Sequence, residues 1–101
     1  MERIIRVKLP HHLRTLAMTN SEIELNIIGP ITQHTAIETL ERSFPMLQGT
    51  LRDHVTHRRR PHVRFFADGQ DISHDSPHGP LPEAVQNGAE PFLIIGPMAG
   101  G

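Results

Sequence analysis

The sequence contains no cysteine, no tryptophan and no tyrosine, and it has a single lysine, Lys8. Without cysteine there are no disulfides, no cysteine nucleophile and no thiolate-held metal. With four phenylalanines as the only large aromatics, a platform for stacking bases or sugars is excluded. A dominant charge is missing too. Ten basic and eleven acidic residues leave a formal charge of −1 with histidine neutral, so no global field draws the chain to nucleic acid or a membrane surface. Long apolar runs are also absent. The longest uncharged stretch, Leu25 to Ile37, is broken by Gly29-Pro30 and falls short of the ~20 apolar residues of a membrane span. Met1-Glu2-Arg3-Ile4-Ile5-Arg6-Val7-Lys8 carries charge throughout and no apolar signal core. A soluble cytoplasmic chain is the expectation.

What remains is ordinary globular material. The 101 residues suit one domain, and Leu, Ile, Val and Phe together number 27, which argues against disorder. Ile5, Val7 and Leu9 alternate with Arg6 and Lys8, the period-two pattern of a half-buried strand. Pro10 ends it, and His11 to Arg14 reads as a turn or short irregular segment. Ile23 to Ile27 alternates in the same way, so the two strands are expected to form an antiparallel hairpin with a long connection.

After the Gly29-Pro30 break, Thr32 or Thr35 can cap a helix, and Thr35-x-x-Glu38 fits a capping box. Ile37, Leu40 and Phe44 give that helix one apolar stripe, and Pro45 stops it near Arg42 or Ser43. Leu47, Leu51 and Val55 are expected to form a second, shorter helical turn on the core. Val63 to Ala67 reads as a third strand, Asp68-Gly69 as a tight turn, and Ile72 as the start of a short fourth strand. Leu81 to Val85 suits one helical turn. Phe92 to Ile95, apolar on both faces, fits a central strand or one whose outer face meets a partner. The order predicts an α+β domain: a mixed four- to five-stranded sheet with one main helix packed on one face, and the last strand beside the first hairpin.

This layout and the final segment resemble the β-grasp sulfur carriers. That family includes the small subunit of molybdopterin synthase, the thiamine-pathway sulfur carrier and the carrier that feeds a cysteine synthase. The resemblance runs through Arg6-Val7-Lys8-Leu9-Pro10, Leu40-Glu41-Arg42-Ser43-Phe44-Pro45 and Phe66-Ala67-Asp68-Gly69-Gln70-Asp71-Ile72. It continues through Asn87 to the final Pro97-Met98-Ala99-Gly100-Gly101. The stretch from Leu47 to His62 is longer than in the thiamine carrier and closer to the cysteine-pathway carrier.

The resemblance implies a ubiquitin-like β-grasp domain over 1–96 and a flexible C-terminal tail over 97–101. It implies that a ubiquitin-activating-type adenylyltransferase uses ATP to adenylate the carboxylate of Gly101. A sulfur donor then leaves a thiocarboxylate, a soft nucleophile like a thiolate, which a sulfur-accepting synthase consumes. The chain itself binds no cofactor or metal on this reading and is not an enzyme. Gly100 and Gly101 lack a Cβ and can pass a narrow channel. Pro97 to Gly101 reach at most about 17 Å when extended, and Pro97 stiffens the base. Leu93, Ile95 and Met98 are the docking candidates, with Pro97 and Ala99 on the same path. Packing beneath a loop is the competing reading for Leu93 and Ile95. The pathway, whether cysteine, molybdopterin or thiamine type, stays open. Two other readings stay open: a ubiquitin-like modifier joined through Gly101 to lysines, and an interaction module whose Gly-Gly is inert.

Two further features are read plainly. His54-x-x-His57 and His74-x-x-x-His78 have metal-ligand spacings, but without cysteine or a carboxylate cluster they are taken as surface histidines in polar loops. Arg58-Arg59-Arg60 has no interleaved aromatic and reads as a solvated loop or a contact for an acidic partner.

Overall fold

Residues 2–96 are described by the structure, a computed structural model. Strand β1 (Glu2–Lys8) leads through helix α1 (His11–Leu16) to β2 (Glu22–Ile28) and helix α2 (Gln33–Ser43). A 3-10 turn (Pro45–Leu47) and a long irregular segment follow, then β3 (Arg64–Ala67), β4 (Gln70–Asp71), the single-turn helix α3 (Glu83–Gln86) and β5 (Phe92–Ile95). The sheet runs β2-β1-β5-β3-β4. All neighbours are antiparallel except β1 and β5, where Val7 faces Phe92 and Lys8 faces Leu93 in parallel register. The last strand therefore lies in the middle, next to the first, as its apolar sequence predicts.

Period two decides which side chains go inside. Ile5 and Val7, Leu25 and Ile27, Phe65 and Ala67, and Phe92 and Ile94 all point under the helix layer and are buried. Helix α2 covers them with Ala36, Ile37 and Leu40. The Phe65 and Phe92 rings meet at 5.4 Å across β3 and β5, a tilted arrangement that adds to simple burial. Asp68 and Gly69 both take positive φ, 51° and 78°, which a two-residue hairpin turn between β3 and β4 requires.

Four local expectations change. His11 to Leu16 is a helix rather than an irregular turn: the Pro10 carbonyl accepts from the Leu13 and Arg14 amides, and Leu13 anchors it in the core. The cap of α2 is Thr32, not Thr35. Thr35 N donates to Thr32 Oγ1 at 3.0 Å and Thr32 N donates to Thr35 Oγ1 at 2.9 Å, so a threonine at the third position replaces the glutamate of the usual box. Glu38 instead pairs with Arg42 at 3.3 Å. Leu47 and Leu51 are buried, but the helical segment stops at Leu47 and Val55 is 75% exposed. The fourth strand is Gln70–Asp71, and Ile72 follows it into the core.

Phe92 sits fully buried at the parallel junction. Phe92→Ala should destabilise the fold by about 3–5 kcal/mol, read as a lower urea midpoint with an unchanged slope. A loss below ~1 kcal/mol would show that the junction is not the packing centre.

Candidate functional site

The candidate site is the place where β5 hands the chain on. Strand alternation turns Leu93 and Ile95 away from the core, onto the open face of the sheet. Leu93 is half-buried and Ile95 is 41% exposed. This agrees with the faces read from the sequence. Sequence reasoning missed Phe66. It lies directly across from Leu93 on β3 and is half-buried on the same face. The Phe65-Phe66 doublet holds the signal, since one of two adjacent strand residues must face outward.

Charges frame this apolar row. Lys8 stands opposite Leu93 and Arg64 opposite Ile95. Arg64 is shared with Asp71 at 3.6 Å and His74 at 3.3 Å. On β1, Arg6 reaches across to the loop that feeds β5. Its Nη1 donates to the Gly88 and Ala89 carbonyls at 2.9 and 3.2 Å, while Nε lies 3.4 Å from Glu22. That clamp ties the start of β5 to β1.

Gly96 ends the described chain beneath the exposed imidazole of His12. A Cβ at Gly96 would come within 2.5 Å of His12 Cε1, so any larger residue there displaces the ring. No sequence signal pointed to His12. Pro97, Met98, Ala99, Gly100 and Gly101, the remaining candidates, lie outside the described residues.

His54, His57, His74 and His78 are all exposed, as surface histidines were expected to be. His57 and His78 each approach His34, with ring centroids at 5.6 and 4.9 Å. Among the described residues no three His, Asp or Glu side chains could hold a metal ion. The arginine run is also less solvated than expected. Arg58 is exposed, but Arg59 Nε donates to Ser73 O at 3.1 Å and its Nη1 to Val63 O at 2.6 Å. Arg60 Nε donates to Gly49 O at 2.9 Å. These side chains bind a segment poor in apolar residues to the core through backbone carbonyls. Asp53 assists from within: it accepts the Val55 and Thr56 amides, and those bonds, Thr56 first, hold its carboxyl below the usual range.

Arg52, further back, is buried against Glu41 at 2.8 Å, with side chains 7% and 11% exposed. Removing either partner alone would strand a buried charge, at about 3–5 kcal/mol. Arg52 Nη1 also donates to His34 Nδ1 at 3.1 Å, which leaves the His34 proton on Nε2. Burial first, then the Arg52 guanidinium, pushes His34 below its ordinary value; Glu38 acts in the opposite sense.

A mixed sheet in this order, with α2 across one face, is the ubiquitin-like β-grasp fold. Solved structures of the same shape include SAMP1 from Haloferax volcanii, with TM-score 0.74 and 16% identity over 97% of this chain and 99% of that one. Small archaeal modifier protein 1 from Methanosarcina acetivorans superposes with TM-score 0.73 and 20% identity, over 100% of this chain and 99% of that one. A chain of the BexX/CysO complex from Amycolatopsis orientalis does so with TM-score 0.69 and 15% identity, over 95% and 98%. At such identities the likeness establishes the fold. No protein-family profile and no curated protein matches the chain.

His34 resists protonation in the fold, whereas in the unfolded chain it titrates near its ordinary 6.5. The unfolded state therefore gains protons first, and folding stability should decline as pH falls from about 7 towards 5. His34→Asn, whose amide oxygen can replace Nδ1 as Arg52's acceptor, should flatten that decline. Urea midpoints against pH check this; identical slopes for the two proteins would contradict it.

Proposed function

We propose that this chain is a sulfur carrier that works through the carboxylate of Gly101. An adenylating enzyme of the ubiquitin-activating type joins that carboxylate to the α-phosphate of ATP, and pyrophosphate leaves. A sulfide donor then attacks the acyl carbon, AMP departs, and a thiocarboxylate remains. Its sulfur passes to the substrate of an accepting synthase, and water restores the carboxylate. The chain supplies no catalytic group, because the partner enzymes provide the active sites.

One observation carries this reading. The strand that precedes Pro97 in the sequence is β5, an interior strand of the sheet, and its open face carries the Phe66-Leu93-Ile95 row. An exposed apolar row set among charges is suited to docking a protein partner. Five extended residues, about 17 Å, allow the row to bind outside an enzyme while the terminus enters its nucleotide site. A modifier function uses the same activation and differs only in the acceptor, a lysine amine in place of a sulfur-accepting substrate. It is kept because two of the similar structures carry the name small archaeal modifier protein. The sole lysine, Lys8, lies in β1, so chains of the protein upon itself are disfavoured.

Deleting Gly101, or adding one residue after it, should abolish ATP–pyrophosphate exchange by the adenylating enzyme. Ile95→Asp should leave the fold intact and raise the KM for the chain about tenfold or more. Exchange that persists without Gly101 would contradict the terminal site, and an unchanged KM in Ile95→Asp would contradict the docking face. Denaturing immunoblots separate carrier from modifier: only free chain fits the first, a ladder of high-mass conjugates the second.

A further inference from the structure

On the helix-covered side, between the start of α2 and the loops around residues 52–59 and 73–78, lies a cleft of about 690 Å³. That is the size of a small-molecule site. Ile37 and Phe65 contribute apolar lining, and His34, His57, His74 and His78 stand around it. Three guanidiniums line it as well, Arg52, Arg58 and Arg59, against one lining carboxylate, the exposed Asp75.

The charges are not balanced. Glu41 neutralises Arg52. Glu38, 3.6 Å from His34 Nε2, is shared with Arg42. Arg59 is oriented by the carbonyls of Ser73, Arg60 and Val63, through Nε and Nη1, and its Nη2 makes no bond among the described residues. Arg58 has no side-chain partner among them at all. The cleft thus holds one guanidinium fixed by backbone and one free to close over a ligand, with imidazole N–H donors beside them.

A metal ion fits badly here. Arg52 occupies Nδ1 of His34, so a divalent cation bound to that ring would sit against a guanidinium. An anion with several oxygens fits well, since planar guanidiniums bind phosphate oxygens in pairs and imidazole N–H groups take the rest. A lone carboxylate offers two oxygens, which a single guanidinium fork already satisfies.

We infer that this cleft binds the phosphate group of a small molecule, with Arg58 and Arg59 as the cationic donors and His57 and His78 as imidazole N–H donors. Its apolar lining, Ile37 and Phe65, lies on the face of the sheet opposite the Phe66-Leu93-Ile95 row, while His74 at its rim also meets Arg64 beside that row, and the site needs nothing from Gly101. It stands or falls separately from the carrier reading.

The test is a titration of the isotope-labelled full chain by NMR, with inorganic phosphate in one arm and AMP in the other, at constant ionic strength. Saturable shifts are expected at residues 33–34, 56–59 and 73–78. Arg58→Ala, which removes no side-chain hydrogen bond or ion pair among the described residues, should weaken binding about tenfold, and Arg58→Lys should restore part of it. Tighter binding of AMP assigns the phosphate to a nucleotide, and equal binding assigns phosphate recognition alone; both support the site. Shifts that do not saturate, an unaltered affinity in Arg58→Ala, or tighter binding of a hexaglutamate peptide at the same residues would overturn it.

Discussion

Val7 lies beside Phe92 and Lys8 beside Leu93 in parallel, so the first and last strands of the chain share the centre of one sheet. Parallel pairing cannot be closed by a hairpin and needs a long crossover. Here the crossover is nearly the whole protein, and it includes α2, which covers the junction. Ile5, Leu40 and Phe92 are wholly buried around it. Such a distant contact orders the intervening chain before it is rewarded by burial, so the junction is expected to form late and then to hold both chain ends. Its consequence for function is geometric. Strand β5, which ends at Ile95, is an interior strand of the sheet and not an edge, and the Arg6 clamp on Gly88 and Ala89 fixes the approach to it.

The segment between α2 and β3 follows another logic. It offers Leu47, Leu51 and Val63 to the core and little else that is apolar. Order comes from arginines that bind backbone carbonyls, from the Asp53 turn and from the buried Glu41–Arg52 pair. A buried pair of this kind gives little net stability against an apolar replacement of both members. It does fix one arrangement, because any other leaves a desolvated charge. The same arrangement sets His34 between Arg52, His57 and His78 and produces the basic cleft.

The sheet was legible because its signals are local and repetitive. Alternation in Ile5-Val7 and Ile23-Leu25-Ile27, the Asp68-Gly69 turn and the two-sided apolar strand at Phe92 each name their own environment. Leu93 and Ile95 could be turned outward from Phe92 by parity alone. Short or side-chain-dependent features were not legible. Helix α1 is six residues long, too short for a periodic stripe, and rests on one buried leucine. Val55 continued a spacing that the chain abandons after Leu51. The histidine grouping joins residues 34, 57 and 78 from three separate segments, and no spacing rule links them. Arg59 and Arg60 looked like solvent charges because sequence cannot show which backbone carbonyls a loop leaves unpaired.

A carrier that works through the carboxylate of Gly101, as proposed, needs no nucleophilic side chain of its own, which suits a chain without cysteine. Intact-mass spectrometry tests that account most directly. The wild-type chain is incubated with an adenylating enzyme of the ubiquitin-activating type, ATP and sulfide, and its C-terminal peptide is then fragmented. Replacement of a single oxygen by sulfur on a peptide ending at Gly101 is the predicted result. An unchanged mass with an enzyme that demonstrably consumes ATP on this chain, or sulfur found elsewhere than on Gly101, would contradict it.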